Sequence, residues 1–292
     1  MSPQSAMLII LSCFAHAQWN LLARAHRGSE ATFFRRMLSV SIPLCAAAAA
    51  TALLLSQSLP PKALLCMTAS GLIAGAYFRF LALAYGAADF SIVYPVARAL
   101  PVLAVAGLDM LRGRHPTPAG WAGLLMVVAG CALAPQHSYS GFNLRRYVGR
   151  DMLWMLLTAA AVVAFTMVDK VGAEAVMRGP GSAALYCSGF YGMGGISYLL
   201  LQAAFDRRTP GPPAVGWGRP ALAAVLGFAS YWLVLWAFQL STHTAYLLAL
   251  RQFSIAIGVV VAFAFYKERG RAVRVPATAA IIAGLIVVMV YG

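Results

Sequence analysis

Long apolar blocks, separated by short gaps of charge, proline and glycine, run the length of the chain. The blocks fall at 5–24, 33–55, 62–86, 89–111, 118–134, 151–170, 182–205, 219–240, 243–266 and 274–291. A helix crossing ~30 Å of hydrocarbon at 1.5 Å per residue needs about 20 residues. The pattern therefore predicts ten transmembrane helices and an all-α integral membrane protein. The longest gaps, 135–150 (PQHSYSGFNLRRYVGR) and 206–218 (DRRTPGPPAVGWG), are too short and too rich in turn residues to fold as domains. The first lies midway, where a linker between two halves would fall.

Sliding the second half back on the first tests for a repeat, because many transporters are built from two repeats around a midplane site. A shift of 153 places Ala84-Tyr85 on Ala237-Phe238 and Arg98 on Arg251, and within one residue of that shift Ala129-Gly130 meets Ala283-Gly284. At a shift of 146 Trp19 meets Phe165 and Arg24 meets Lys170. The expectation is a five-helix repeat over 1–135, a loop over 136–150 and a second repeat over 151–292. Five being odd, the second repeat enters the membrane from the opposite side, so the repeats are inverted.

Polar residues at membrane depth carry the remaining information. A charge at the centre of a span costs ~2.5–3.5 kcal/mol on insertion scales and so faces a bundle interior or an aqueous cavity. Arg79, Arg98 and Arg251 qualify, whereas all eight acidic residues read as lying in gaps or within a turn or so of a span end. The deep interior is thus expected to be positive, with no internal counter-ion and no carboxylate to carry protons.

Arg98 shares a helical face with Ser91 and Tyr94 and is flanked by Pro95 and Pro101, which should loosen the fourth span as broken helices do at transporter sites. Arg251 has the equivalent depth in the ninth, near Tyr246, Gln252 and Ser254. A guanidinium offers a planar fork of donors that fits carboxylate or phosphate oxygens, so the two arginines read as an anion clamp. The competing reading has each arginine bonding helix carbonyls or a terminal carboxylate such as Asp109. Arg79 continues a stripe of Gly71 and Gly75 that allows close helix approach, and it either joins the site or snorkels to the span end. His16, Asn20 and Arg24 recur at four-residue steps beside Trp19 and make a polar stripe in the first span.

Composition agrees with this picture. Apolar residues make up 61% of the 292 and charged ones 10%, against about 25% charged in an ordinary soluble domain. The five cysteines lie singly inside apolar blocks, which suits neither disulfides nor a metal site. The net charge of +14 is spread over short loops, so no nucleic-acid partner is expected. Counted by side, the termini share theirs with five basic residues and the opposite side holds 14, which by the positive-inside rule puts both termini outside. No Walker A pattern is present.

HAQWNLLAR at 16–24, GAADFSIVYPVARALP at 86–101, TMVDK at 166–170 and YKER at 266–269 resemble the H-x-x-W-N, YP-x-AR, DK and ER elements of EamA-type members of the drug/metabolite transporter superfamily. The resemblance spans the whole chain. It implies ten helices in two inverted repeats around a central cavity, transport of small metabolites across a bacterial cytoplasmic membrane, and cytoplasmic termini, the last at odds with the loop charges. A branch associated with phosphonate use is similar and would suit paired arginines.

The resulting expectation is a secondary transporter of a small anionic organic metabolite, embedded in the lipid bilayer and working without cofactor or metal. Arg98 and Arg251 would hold the anion, helped by Tyr94, Tyr246, Gln252 and Arg79, while His16, Trp19 and Asn20 line the cavity. Two alternatives share the composition. A flippase for a lipid-linked headgroup would need a laterally open groove. A polytopic membrane enzyme would need a nucleophile beside a base, and Ser188 has no histidine or aspartate expected within reach.

Overall fold

The computed structural model describes residues 2–26, 29–87, 90–134, 150–205, 215–265 and 271–291, leaving aside the side chains at 24, 85–87, 90–98, 150–151 and 262–265. Every regular element among them is a helix: α1 (Pro3–Arg24), α2 (Glu30–Leu54), α3 (Pro61–Ala87), α4 (Phe90–Leu111), α5 (Pro118–Leu133), α6 (Arg150–Ala175), α7 (Pro180–Phe205), α8 (Gly218–Leu240), α9 (Thr244–Leu250), α10 (Phe253–Phe265) and α11 (Arg271–Tyr291). Eight segments of the described residues are long and apolar enough to cross a membrane, one of them running through α9 into α10. Ala99–Leu111 and Pro118–Leu133 are shorter apolar stretches. The chain is a multi-pass helical membrane protein.

Chain punctuation sets the helix starts. Prolines open α1, α3, α5 and α7, where the missing N–H would have had no intrahelical partner. Ser2 and Thr117 cap α1 and α5 by accepting from Ser5 N and Gly120 N. The helices then pack in recurring pairs: α3 lies against α6 and α7, α8 against α1 and α2, α2 against α7, and α5 against α11. Small residues bring the last pair close. A Cβ at Gly130 would stand 2.6 Å from the Ala277 carbonyl oxygen, and one at Gly284 2.6 Å from that of Gly123. The Gly71–Gly75 stripe faces α7 in the same way, since a Cβ at Gly75 would meet Ser197 at 2.5 Å.

Two expectations about helix continuity are corrected. Despite Pro95 and Pro101, α4 is helical from Phe90 to Leu111. The interruption lies instead between α9 and α10, at Arg251-Gln252, where no proline or glycine signals it. There the backbone tightens: Gln252 N bonds Ala249 O at 2.8 Å, Ser254 N bonds Arg251 O at 3.2 Å and Ile255 N bonds Gln252 O at 2.8 Å, each a three-residue step in place of four. That shift strands the carbonyls of Leu248 and Leu250. The Gln252 side-chain amide takes the first at 3.1 Å, and the Cys13 thiol of α1 takes the second at 3.6 Å. The break is thus held by side chains that complete its backbone hydrogen bonding.

The second correction concerns α6. The apolar block ends at Lys170, but the helix continues to Ala175. Asp169 and Lys170 are therefore enclosed in the bundle, at 0% and 1% exposure, rather than sitting at its edge.

Candidate functional site

A cavity with about 830 Å³ of empty space, counting the solvent at its mouth, lies among α1, α3, α4, α6, α7, α8 and the α9–α10 break. Its lining comes from the later half of α1 (His16, Trp19, Asn20), the later half of α3 (Tyr77, Phe78, Leu81) and the first two-thirds of α6 (Thr158, Val162, Phe165). Phe190 and Tyr191 of α7, and Gly227, Ser230 and Tyr231 of α8, close the side, and Pro101 brings α4 to it. Leu248, Arg251 and Gln252 enter from the break.

The walls are mostly aromatic and packed on one another. Phe190 stacks on Tyr231 with ring centres 4.4 Å apart, Phe165 meets Tyr77 edge-on at 5.6 Å and Phe190 edge-on at 5.8 Å, and Trp19 reaches Phe78 at 6.5 Å. Rings locked in this way hold the cavity's shape, because each loses contacts if its neighbour turns.

Among the described lining residues, Arg251 supplies the positive charge. Its Nη2 lies 3.3 Å from His16 Nδ1, and its guanidinium carbon is 5.6 Å from the centre of the Tyr231 ring, a cation–π distance. Trp19 Nε1 donates to the same His16 nitrogen at 3.1 Å. Two N–H donors converge on Nδ1, so that nitrogen carries its lone pair and the imidazole proton sits on Nε2. His16 thereby orients Arg251 and Trp19 together. Asn20 Nδ2 donates to the His16 carbonyl at 2.7 Å.

Beneath Tyr231 lies a group that sequence reasoning missed. The Tyr231 hydroxyl donates to Oδ2 of Asp169, and Tyr186 donates to Oδ1 at 2.9 Å. Gly172, one turn on, makes room for this, since a Cβ there would stand 2.5 Å from the Tyr186 ring and hydroxyl. The reading of the interior as free of deep acids is therefore wrong. Asp169 is fully buried and connects through Tyr231 to Arg251.

Past Asp169 the bundle end is tied shut by charge. Lys170 Nζ donates to Phe238 O at 2.6 Å and to Ser241 O, and lies 3.2 Å from Glu174 Oε1. Glu174 also accepts from Arg112 at 2.7 Å and Arg114 at 2.5 Å, while Arg114 reaches Thr242 O at 3.0 Å. Asp109 Oδ2 accepts Ala245 N at 2.9 Å at the start of α9. Both termini emerge here, with Ser2 Oγ 3.5 Å from Leu240 O and Thr117 Oγ1 2.8 Å from Tyr291 O.

Of the residues expected at the site, His16, Trp19, Asn20, Arg251 and Gln252 line the cavity together. Tyr246 does not: its hydroxyl accepts Thr117 N at 3.1 Å in the tied end, with its ring against His243. Arg79 lies over the Phe205 ring at 5.8 Å and is also outside the lining. Arg98 and Tyr94 fall outside the described side chains. Ser188 bonds its own helix at Ala184 O, 2.8 Å away.

No family model matches the chain. No curated protein matches it either. Solved structures do. One crystal structure superposes with a TM-score of 0.72 over 97% of this chain and 96% of its own, at 18% sequence identity. At that identity the likeness establishes the fold alone, and it does so from end to end of both chains.

Proposed function

We propose that the chain is a secondary transporter of a small anionic organic metabolite, an EamA-type member of the drug/metabolite transporter superfamily acting in a bacterial cytoplasmic membrane. The observation that carries this reading is Arg251, 9% exposed, set at the break between two half-helices and lining an aromatic cavity in a multi-pass bundle. Interrupted helices at membrane depth mark binding sites because irregular backbone is tolerated only where it borders protein or a cavity. The guanidinium fork takes a carboxylate, phosphate or phosphonate oxygen pair, while the rings take the substrate's apolar body.

Two inverted five-helix repeats, 1–135 and 151–292, fit the packing. The partnership of α3 with α6 is answered by that of α8 with α1, as an exchange of repeats requires. The close contacts of α5 and α11 fit too. Moving each partner by 154 residues turns the pair Gly130–Ala277 into Gly284–Gly123, and both pairs touch. The asymmetry along the bundle axis supports alternating access: the cavity lies on one side of Asp169 and the tied end on the other, so transport would need the Glu174 links to part while the cavity's mouth closes.

Thermal stabilisation of the purified protein tests the reading, with a panel of small carboxylates, phosphonates, sugar phosphates, amines and neutral amino acids. A ligand at 100 times its Kd stabilises by about 2.7 kcal/mol. Stabilisation by anions, lost in Arg251→Gln, is the expected result. Stabilisation by amines or neutral compounds alone, unchanged in the variant, would overturn the anion assignment.

A further inference from the structure

We infer that Asp169 is a proton-binding site, and that a proton is the co-substrate of the transport cycle. The coupling rests on the transporter reading; the protonation itself does not. Asp169 is wholly buried, six residues inside the end of α6, and the ion pairs among the described residues do not include it. Its two oxygens are held by the phenols of Tyr186 and Tyr231, with Ser70 of α3 beside them. A buried carboxylate held by hydroxyls rather than by a cation has two workable states. Ionised, it accepts from both phenols. Protonated, it removes a net charge from low dielectric and donates its own O–H to a phenol oxygen, which accepts as readily as it donates.

The other described ionisable groups around it form no ion pair with it. α3 brings Cys66 and α7 brings Cys187, both thiols, along with the Tyr186 phenol. α8 brings Tyr231. On α6 itself Lys170 turns away to the carbonyls of Phe238 and Ser241 and to Glu174. Of the described ionisable groups of α4 and its following turn, Asp109, Arg112 and Arg114 belong to the tied end and His115 is exposed, while His243 and Tyr246 at the start of α9 also belong to the tied end.

Position gives the site its use. Tyr231 has its hydroxyl on Asp169 and its ring under the Arg251 guanidinium in the cavity wall. Adding H⁺ to the carboxylate removes one negative charge behind that ring and strengthens the attraction of Arg251 for an anion. By reciprocity, an anion on Arg251 favours the proton on Asp169. Proton and anion therefore load together and leave together, which is symport.

The test uses infrared difference spectra of the full-length protein reconstituted in lipid, taken without ligand as the medium passes from mildly alkaline to mildly acidic. The expected result is a protonated-carboxyl C=O band that grows on acidification, is absent in Asp169→Asn and persists in Glu174→Gln. Tyr231→Phe, which keeps the carboxylate but removes one donor that stabilises its charged form, should move the band's midpoint to higher pH, and it serves where Asp169→Asn does not fold. No titrating band in the wild type, a band unchanged in Asp169→Asn, or a midpoint unmoved by Tyr231→Phe would overturn the proposal. Because no ligand enters the measurement, its failure is separate from a failure of the ligand panel to stabilise the protein.

Discussion

The two halves of the bundle bury polar groups on opposite plans. In the cavity half, the Arg251 guanidinium and the His16 imidazole sit among rings and border empty space. In the tied half, Lys170, Glu174, Arg112 and Arg114 bind one another and the carbonyls of Phe238, Ser241 and Thr242, while Arg112 Nη1 is buried with no hydrogen-bond partner. Charges of the second kind join elements: α6 to α8, and the turn after α4 to the turn after α8. The first kind is arranged to meet something that arrives. A charge inside the bundle is thus read by whether it borders a cavity or joins two elements, not by its presence.

The largest expected effect comes from the tied half. Lys170→Met removes a buried ammonium whose donors satisfy two carbonyls of the α8 end, and stranding buried acceptors costs ~1–3 kcal/mol each. A loss of about 3 kcal/mol is expected, read as a lower melting temperature in detergent. A variant as stable as the wild type would mean that water serves those carbonyls and that this end is wetter than its packing implies.

Next is Arg251→Lys, which keeps the charge but loses the planar fork. Stabilisation by an anionic ligand should fall by about 1.4 kcal/mol, a tenfold loss of affinity, with little change in the ligand-free melting point. A larger fall without ligand than with it would make Arg251 a structural residue of the Lys170 kind and erase the contrast.

Glu174→Gln comes third. Its partly exposed links to Arg112 and Arg114 are worth ~0.2–1 kcal/mol each, so the stability change is small and the informative readout is geometric. Spin labels at the exposed Leu111 and Met177 of that end should show a second, longer distance in the variant. A single unchanged distance would mean that these ion pairs are not what holds the end closed.

The contrast was only half legible in the sequence. Helix positions follow from apolar block lengths, and His16, Trp19, Asn20, Arg251 and Gln252 follow from polarity inside such blocks. Asp169 did not, because two adjacent charges look like a helix end when their partners are hidden. Those partners, Tyr186, Tyr231 and the carbonyls of Phe238 and Ser241, lie 17 or more residues away in sequence. Tyr246 was misplaced for a related reason: five residues before Arg251, it falls on the far side of the break, one of whose open carbonyls is met by Cys13, some 237 residues away. Tyr77, Phe78 and Phe190 carried no signal, since aromatic residues in apolar blocks serve packing as readily as lining.

The smallest effect concerns acidity at the tied end. His243 precedes α9, outside the spans, and burial holds its imidazole below its usual value of 6.5, with nearby Asp109 opposing that shift and Arg114 and Lys170 adding to it. Its Nδ1 is buried with no hydrogen-bond partner, so the neutral ring suits the folded state. A depressed value means that the folded protein binds fewer protons there than the unfolded chain. The ring's contribution is therefore complete above about pH 6.5, and it shrinks as the pH falls below that value toward the lowered one. The melting temperature should drop on mild acidification, and the drop should be smaller in His243→Gln, which has no proton to gain. An equal drop in the variant would assign the acid sensitivity to another group and leave His243 a bystander in the tied end.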